Sequence, residues 1–108
     1  MDNELFELCK QVYEKTGLGE NLQRYEDGKG VPYRNIPLYT SDYLLEKLPL
    51  RIGRGCWLTL CPLDSAKREW EVGYYNLTKN FNIYVRYANT PLKALLLLTL
   101  ALSEAGEL

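Results

Sequence analysis

Apolar and polar residues alternate with a period of two in three runs in the second half of the chain. Successive side chains of a β-strand point to opposite faces, so this period is typical of strands that are buried on one side. The runs span residues 55–61, 68–75 and 80–87, and the connections DSAKR and NLTKN are short and polar. We therefore predict an antiparallel three-stranded meander, with a fourth strand as an open alternative.

The predicted meander has one hydrophobic face and one mixed face. The positions assigned to the hydrophobic face are Cys56, Leu58, Leu60, Trp70, Val72, Tyr74, Phe81, Ile83, Val85 and Tyr87. The positions assigned to the mixed face are Trp57, Thr59, Cys61, Glu69, Glu71, Tyr75, Asn82, Tyr84 and Arg86. The hydrophobic face needs a covering layer. The mixed face is either free for recognition or partly covered by the N-terminal helices.

Helical spacing and helix-terminating residues mark the rest of the chain. Apolar residues that recur every three or four positions predict a helix over residues 3–16. Thr90 suits a helix N-cap, and the residues after it predict a helix over 91–105. A shorter helix is predicted over 41–48, whereas the polar, turn-rich segment 17–39 is predicted to be an irregular loop with a short extended piece near its end.

The C-terminal helix is apolar on nearly every side. Residues 94–102 contain only one polar side chain, Thr99. Such a segment rises about 14 Å as a helix, which is too short to cross a bilayer core of about 30 Å. A helix of this kind is buried on several sides or shared with another subunit. We predict a core helix on the hydrophobic face of the sheet, and a homodimer through this helix is the open alternative.

Together these elements predict an α+β fold in a single domain over residues 1–108, in which the meander packs with N-terminal helices and a C-terminal hydrophobic helix. The chain has 13 basic and 14 acidic residues and a formal net charge of −1. This balance gives no global attraction to nucleic acid or to anionic lipid, so neither is an expected partner.

Cysteine and histidine usage limits the possible chemistry. The chain has no histidine, which excludes Cys/His metal sites and histidine-based catalytic triads. The three cysteines, Cys9, Cys56 and Cys61, have spacings that suit neither a zinc knuckle nor a redox pair. The first residues are acidic, unlike those of a signal peptide. We expect structural thiols, no cofactor, no metal and a cytoplasmic location.

Two groups of residues are candidates for binding. The stretch RIGRG at residues 51–55 combines Arg51 and Arg54 with two glycines. Glycine lets backbone N–H groups approach an anion and arginine binds phosphate oxygens, although a solvent-exposed turn is the simpler interpretation. The second group consists of aromatic and basic side chains that suit a recognition face: Trp57, Tyr75, Tyr84, Arg86, Tyr33 and Tyr39. Tyrosine is common in binding surfaces, but it also lies at the boundary of thin cores.

The stretches IPLYTSDYLLEKLP and YANTPLKALLLLTLALSEAGEL, joined by tryptophan-containing strands, resemble small phage and prophage proteins described as the phage ABA sandwich domain group. The resemblance covers residues 36–108 and implies a sheet between helical layers. The matching positions are helix caps and core leucines, so the resemblance implies an architecture and carries over no catalytic or binding residue.

Three hypotheses of function follow. The favoured one is a non-enzymatic phage-type interaction or accessory protein that binds a host or phage protein, an anti-defence factor being one form of it. The alternative is a protein that binds a nucleotide or another anion through Arg51, Arg54 and the tyrosines. The third is a small hydrolase in which Glu69 and Glu71, two positions apart on one strand, act as acid and base.

Overall fold

A four-stranded antiparallel meander and a helix packed on it form the centre of the fold. The computed structural model describes residues 3–26, 32–64 and 68–108. The elements in chain order are α1 (Asn3–Thr16), β1 (Arg24–Glu26), β2 (Pro32–Pro37), α2 (Ser41–Lys47), β3 (Arg51–Ile52), β4 (Cys56–Asp64), β5 (Glu69–Asn76), β6 (Phe81–Ala88) and α3 (Pro91–Glu104). The predicted α+β class is confirmed, and these described residues form two antiparallel sheets.

The larger sheet has the strand order β3-β4-β5-β6, so each strand pairs with its neighbour in sequence. The fourth strand, left open by the sequence, is the two-residue β3, which pairs with the start of β4. β4 runs to Asp64, three residues beyond its predicted end at 61, because its pairing with β5 continues to Glu69. The predicted connection DSAKR falls largely outside the described residues.

Helix α3 lies between the meander and the N-terminal helices. It packs against β5 and β6 on one side and against α1 and α2 on the other. Thr90 caps its first turn by accepting a hydrogen bond from the backbone N–H of Lys93 at 3.2 Å. The buried Thr99 hydroxyl donates to the carbonyl oxygen of Leu95 at 2.7 Å, so the polar group inside the apolar run is satisfied.

This arrangement bears on two expectations. Four leucines on different sides of α3 are fully buried by the chain itself: Leu95, Leu96, Leu98 and Leu102. Leu92, Leu97 and Leu100 of the same helix are only partly buried, so a homodimer through this helix stays a prediction. In the described part of the chain the N-terminal helices cover α3 and not the second face of the sheet. This order differs from the sheet-centred sandwich that the resemblance implies.

The segment 17–39, predicted to be an irregular loop, instead contains strands β1 and β2, which pair with each other. Strand β2 packs against α1. Polar contacts order this segment: the Arg24 guanidinium donates to the carbonyl oxygens of Gly19 at 2.7 Å and Leu22 at 3.1 Å, and to Asn35 Oδ1 at 3.2 Å. The short extended piece expected near the end of the segment corresponds to β2, whereas β1 was missed, because contacts of this kind leave no alternation of apolar residues.

A β-bulge in β6 reverses the predicted alternation of its side chains. Val72 pairs with Arg86, but Tyr74 pairs with Ile83, so two residues of β6 lie opposite Gly73. Tyr84 takes the left-handed conformation, with φ 57°. Beyond such a bulge each side chain moves to the other face.

The bulge corrects four positions in β6. Tyr84 packs against the hydrophobic core and Arg86 shares the inner face with Val72, although both were predicted on the mixed face. Val85 and Tyr87 lie on the outer face, although both were predicted on the hydrophobic one. A single inserted residue explains all four differences, because the period of a strand is two.

We predict that Gly73→Ala destabilises the fold. A Cβ atom at Gly73 would lie 3.2 Å from the Ile83 carbonyl oxygen and 3.2 Å from Val85 Cα, both of which are backbone atoms of β6. The clash should cost about 1–3 kcal/mol, more than the gain of roughly 0.5–1 kcal/mol from replacing a strand glycine. Urea unfolding would measure the loss, with the exposed Thr78→Ala as the control expected to stay within about 0.5 kcal/mol. An alanine variant as stable as the parent chain would contradict this account of the bulge.

We also predict a loss of stability at high pH that depends on Tyr74. Its buried hydroxyl donates to the Pro49 carbonyl oxygen at 2.7 Å. Burial first, and the charge of Glu107 second, raise the pKa of Tyr74 to about 12, from the ordinary value of 10.0. The unfolded chain therefore releases this proton at lower pH than the folded chain, and stability falls as the pH rises between these two values.

In Tyr74→Phe the free energy of unfolding should fall less steeply across the same pH window. Urea titrations at pH values below, within and above the window would measure the slope. Some decline should remain, because burial also raises the pKa of Tyr39. Equal slopes in the two proteins would show that Tyr74 does not titrate as described.

Candidate protein-interaction face

The face of the meander turned away from α3, called the open face here, carries no helix in the described part of the chain. Residues paired across neighbouring strands share a face, so the register assigns the open face to three rows. The first row is Arg51, Trp57, Tyr75 and Asn82; the middle row is Thr59, Gly73 and Val85; the third row is Cys61, Glu71 and Tyr87.

The first row is aromatic and basic. The Arg51 guanidinium carbon lies 5.7 Å from the centroid of the Trp57 ring, within the range of a cation–π interaction. Trp57 is nevertheless 48% exposed. The Tyr75 hydroxyl forms a hydrogen bond with Asn80 Oδ1, which holds the phenol ring beside the β5–β6 turn. This row therefore presents two largely fixed aromatic rings and one guanidinium to solvent.

The middle row consists of small side chains. Val85 Cγ2 lies 3.3 Å from the position that a Cβ atom of Gly73 would occupy, so Val85 lies over the glycine. The Thr59 hydroxyl donates to the carbonyl oxygen of Gly73 at 3.3 Å. Because these three residues are short, the centre of the open face is lower than its two ends.

The third row is aromatic and acidic. Tyr87 is 50% exposed and pairs with Glu71 across β5 and β6. Partial desolvation and the charges of Glu71 and Glu69 raise the pKa of Tyr87. A depression of about 240 Å³ lies beside this tyrosine, lined by Arg68, Glu69, Tyr87, Ala88 and Asn89. Pockets that enclose small molecules measure roughly 300–1,000 Å³, so this depression suits one side chain of a partner better than a whole ligand.

Three of the predicted site residues come together on the open face. Trp57 and Tyr75 share a row, as the alternation predicted, and β3 adds Arg51, which was expected in a loop. Tyr87 belongs with them but was missed, because the bulge changed its face. The signal for it was Gly73, since a glycine inside a strand often marks a bulge or a close approach of another backbone.

Five other predicted site residues lie elsewhere. Tyr84 and Arg86 are on the inner side of β6, as described above. Tyr39 is buried, and its hydroxyl donates to the Leu18 carbonyl oxygen, so it is a core residue. Arg54 is exposed in the β3–β4 turn. Tyr33 belongs to β2, but its side chain is outside the part of the chain that is described.

The glycines of RIGRG serve the turn between β3 and β4. Gly53 and Gly55 have φ values of 57° and 85°, which side chains rarely tolerate. The Asn76 side-chain amide donates to the Arg54 carbonyl oxygen at 3.1 Å and so ties the turn to the end of β5. The simpler interpretation of this stretch, a solvent-exposed turn, accounts for both glycines.

Both edges of the meander carry features that oppose the addition of another strand. On one side, β3 pairs only with the start of β4, and the rest of the β4 edge contains Pro62 and a register shift before Asp64. Proline lacks the backbone N–H that a new strand would need. On the other side, the bulge at Tyr84 interrupts β6. Edges of this kind resist strand pairing, so the open face is the better surface for a protein contact.

Within residues 3–26, 32–64 and 68–108, no group of three or more Cys, Asp or Glu side chains is placed to hold a metal ion. Cys9 and Cys56 are buried free thiols, and Cys61 is an exposed free thiol. Among the same residues, no helix is both long enough and apolar enough to cross a membrane. Comparison of the chain with protein-family models, curated proteins and solved structures found no match.

We predict that the open face is dispensable for folding. Trp57→Ala removes an exposed ring and its contact with Arg51, which should cost about 1 kcal/mol or less. Leu96→Ala in α3 removes a fully buried side chain and should cost about 2–5 kcal/mol. Urea unfolding of both variants would compare the two. A Trp57→Ala variant as unstable as Leu96→Ala would mean that the ring is part of the structural core.

Proposed function

We propose that the chain is a non-enzymatic, phage-type interaction protein that binds a protein partner through the open face of its meander. The observation that carries this proposal is the exposure of Trp57 and Tyr87 on one face, at 48% and 50%. Exposed aromatic rings on a folded scaffold are typical of binding surfaces, because they contribute a large contact area at a low cost in conformational entropy.

The composition of the open face supports a protein partner over a nucleic acid. Arg51 at one end is balanced by Glu69 and Glu71 at the other, so the face offers no continuous basic track for a phosphate backbone. Under this proposal, the resemblance to phage proteins makes a host or phage protein in the cytoplasm of the host cell the expected partner. Interference with a host defence protein is one action of this kind.

The juxtaposition of Trp57 and Arg51 also favours a second candidate, a nucleotide-binding protein. A base could stack on the exposed indole while the guanidinium binds a phosphate oxygen. This candidate uses the same end of the open face but not Tyr87, which lies in the third row. The two candidates therefore differ in which aromatic residue they require.

Affinity capture with the purified chain as bait would test the proposal. We expect mass spectrometry to identify a partner whose recovery falls at least tenfold with Trp57→Ala as bait, and likewise with Tyr87→Ala. The reason is that exposed aromatic anchors contribute most of the binding energy. Arg86→Ala is the matched control, because Arg86 is exposed but lies on the inner side of the same sheet. This variant should retain the partner. Circular dichroism of each variant would verify its fold.

A partner that all three variants retain would contradict the assignment of the open face. Thermal shift with mono-, di- and cyclic nucleotides separates the second candidate, because a ligand that binds only the folded state raises the melting temperature. A nucleotide shift that Trp57→Ala removes and Tyr87→Ala leaves intact would favour nucleotide binding over a protein partner.

A further inference from the structure

We propose that one end of the meander docks on an anionic lipid bilayer, with the turn between β5 and β6 inserted among the lipid headgroups. This end, called the turn tip here, consists of Arg54, Leu77, Lys79 and Phe81. All four side chains are exposed, Leu77 at 75% and Phe81 at 41%. The inference goes beyond the proposed function, because the turn tip is a second surface, at the strand ends next to the open face.

A buried asparagine holds the two turns of the turn tip side by side. The Asn76 side-chain amide donates to the carbonyl oxygen of Arg54 at 3.1 Å, and its side-chain oxygen accepts from the backbone N–H of Lys79 at 2.9 Å. Phe81 is the strand partner of Asn76 across β5 and β6. The β3–β4 turn and the β5–β6 turn are therefore fixed next to each other, and the turn tip is preorganised.

The apolar side chains of the turn tip suit a bilayer. Turns favour polar residues and glycine, yet the β5–β6 turn begins with Leu77, which its own chain leaves three quarters exposed. Isolated apolar residues are common on protein surfaces, but here Phe81 lies exposed at the same end of the sheet. A side chain that projects from a turn enters the boundary between headgroups and acyl chains without a matching cavity, whereas a protein partner would have to provide one.

The charge around the turn tip is complementary to an anionic surface. The segments 48–63 and 72–103 supply both turns and their flanking strands, and neither contains Asp or Glu. Arg51 adds an exposed third cation to the two of the turn tip. Glu107, whose charge acts on the inner side of the sheet, follows α3 in the helix layer. A local basic end thus exists in a chain of net charge −1, and each cation near an anionic bilayer strengthens binding about fivefold.

Docking by the turn tip leaves the open face accessible. The turn tip lies at the ends of the strands, whereas the open face runs along them, so the strands stand steeply on the bilayer. Trp57 and Tyr75 are each one residue further from the turn tip than the paired Cys56 and Asn76. Their rings would lie at the level of the headgroups, where tryptophan and tyrosine are favoured. Tyr87, at the other end of the open face, stays free to contact a protein.

Flotation with lipid vesicles tests this docking. The full chain should bind vesicles of phosphatidylcholine containing about one third phosphatidylserine at least tenfold more tightly than vesicles of phosphatidylcholine alone. Leu77→Ala should weaken binding to the anionic vesicles roughly 5- to 20-fold, because it removes apolar area that the bilayer buries. Lys79→Glu should weaken it roughly 10- to 30-fold, because it replaces an attraction with a repulsion.

Two controls match these variants. Thr78→Ala changes an exposed residue of the same turn and should leave vesicle binding within about twofold. Arg86→Glu reverses an exposed charge of β6 and matches Lys79→Glu in net charge. Arg86 lies five residues beyond Phe81 along the strand, roughly 16 Å, which is about two Debye lengths at physiological salt. Its reversal should therefore weaken binding by less than about threefold.

A fluorescent label separates insertion from contact by charge alone. Cys9 and Cys56 are buried, so in a variant with Leu77→Cys and Cys61→Ser a maleimide carrying an environment-sensitive dye should modify position 77 first. On anionic vesicles this dye should shift to the blue and be quenched by lipids brominated on their acyl chains. The same dye on Cys61 of the parent chain should show neither change.

A chain that does not bind the anionic vesicles at low salt and millimolar lipid would overturn the docking, and so would binding that Leu77→Ala and Lys79→Glu leave unchanged. Equal losses from Arg86→Glu and Lys79→Glu would also overturn it. A captured protein that Leu77→Ala loses, without vesicle binding, would make the turn tip a protein site instead. Tyr87→Ala separates the two proposals, because it should leave vesicle binding unchanged while the partner of the open face is lost.

Discussion

The burial of α3 between two layers holds this fold together. Burying one leucine side chain contributes about 1.5–3 kcal/mol, and α3 places four leucines in complete burial, on more than one side of the helix. Their combined contribution is comparable to the whole net stability of a small domain, about 5–15 kcal/mol. Neither the sheet nor the pair α1 and α2 could cover this helix alone. Each layer therefore depends on the other through the helix between them.

The same arrangement explains why one face of the meander is open. Because α1 and α2 pack against α3, they do not reach the second face of the sheet. The bulge in β6 then decides which side chains that face carries: it brings Tyr87 and Val85 outward and turns Tyr84 toward the core. The open face thus results from the order of the layers, in which α3 lies between the meander and the helices α1 and α2, and from one inserted residue in β6.

The sequence was informative where burial imposes a regular period. The alternation in β4 and β5 placed Trp57 and Tyr75 on the outer face, and the leucine-rich segment with its cap at Thr90 located α3 closely. The period alone could not reveal the bulge, because an inserted residue changes the face of a side chain without changing its chemical type. Nor could it reveal β1, whose surroundings Arg24 orders through polar contacts. The outward position of Tyr87 follows from the register of β5 against β6, and the alternation within a single strand does not reveal that register.

The edges of the meander have a consequence for how this chain behaves when it is abundant. Strand-to-strand association is open-ended, since each added chain brings a fresh edge and growth leads to fibres. Pro62 and the register shift in β4 oppose such growth on one side, and the irregular backbone at Tyr84 opposes it on the other. These features reduce the tendency of the sheet's backbone hydrogen-bonding groups to template amyloid-like polymers when the chain is concentrated.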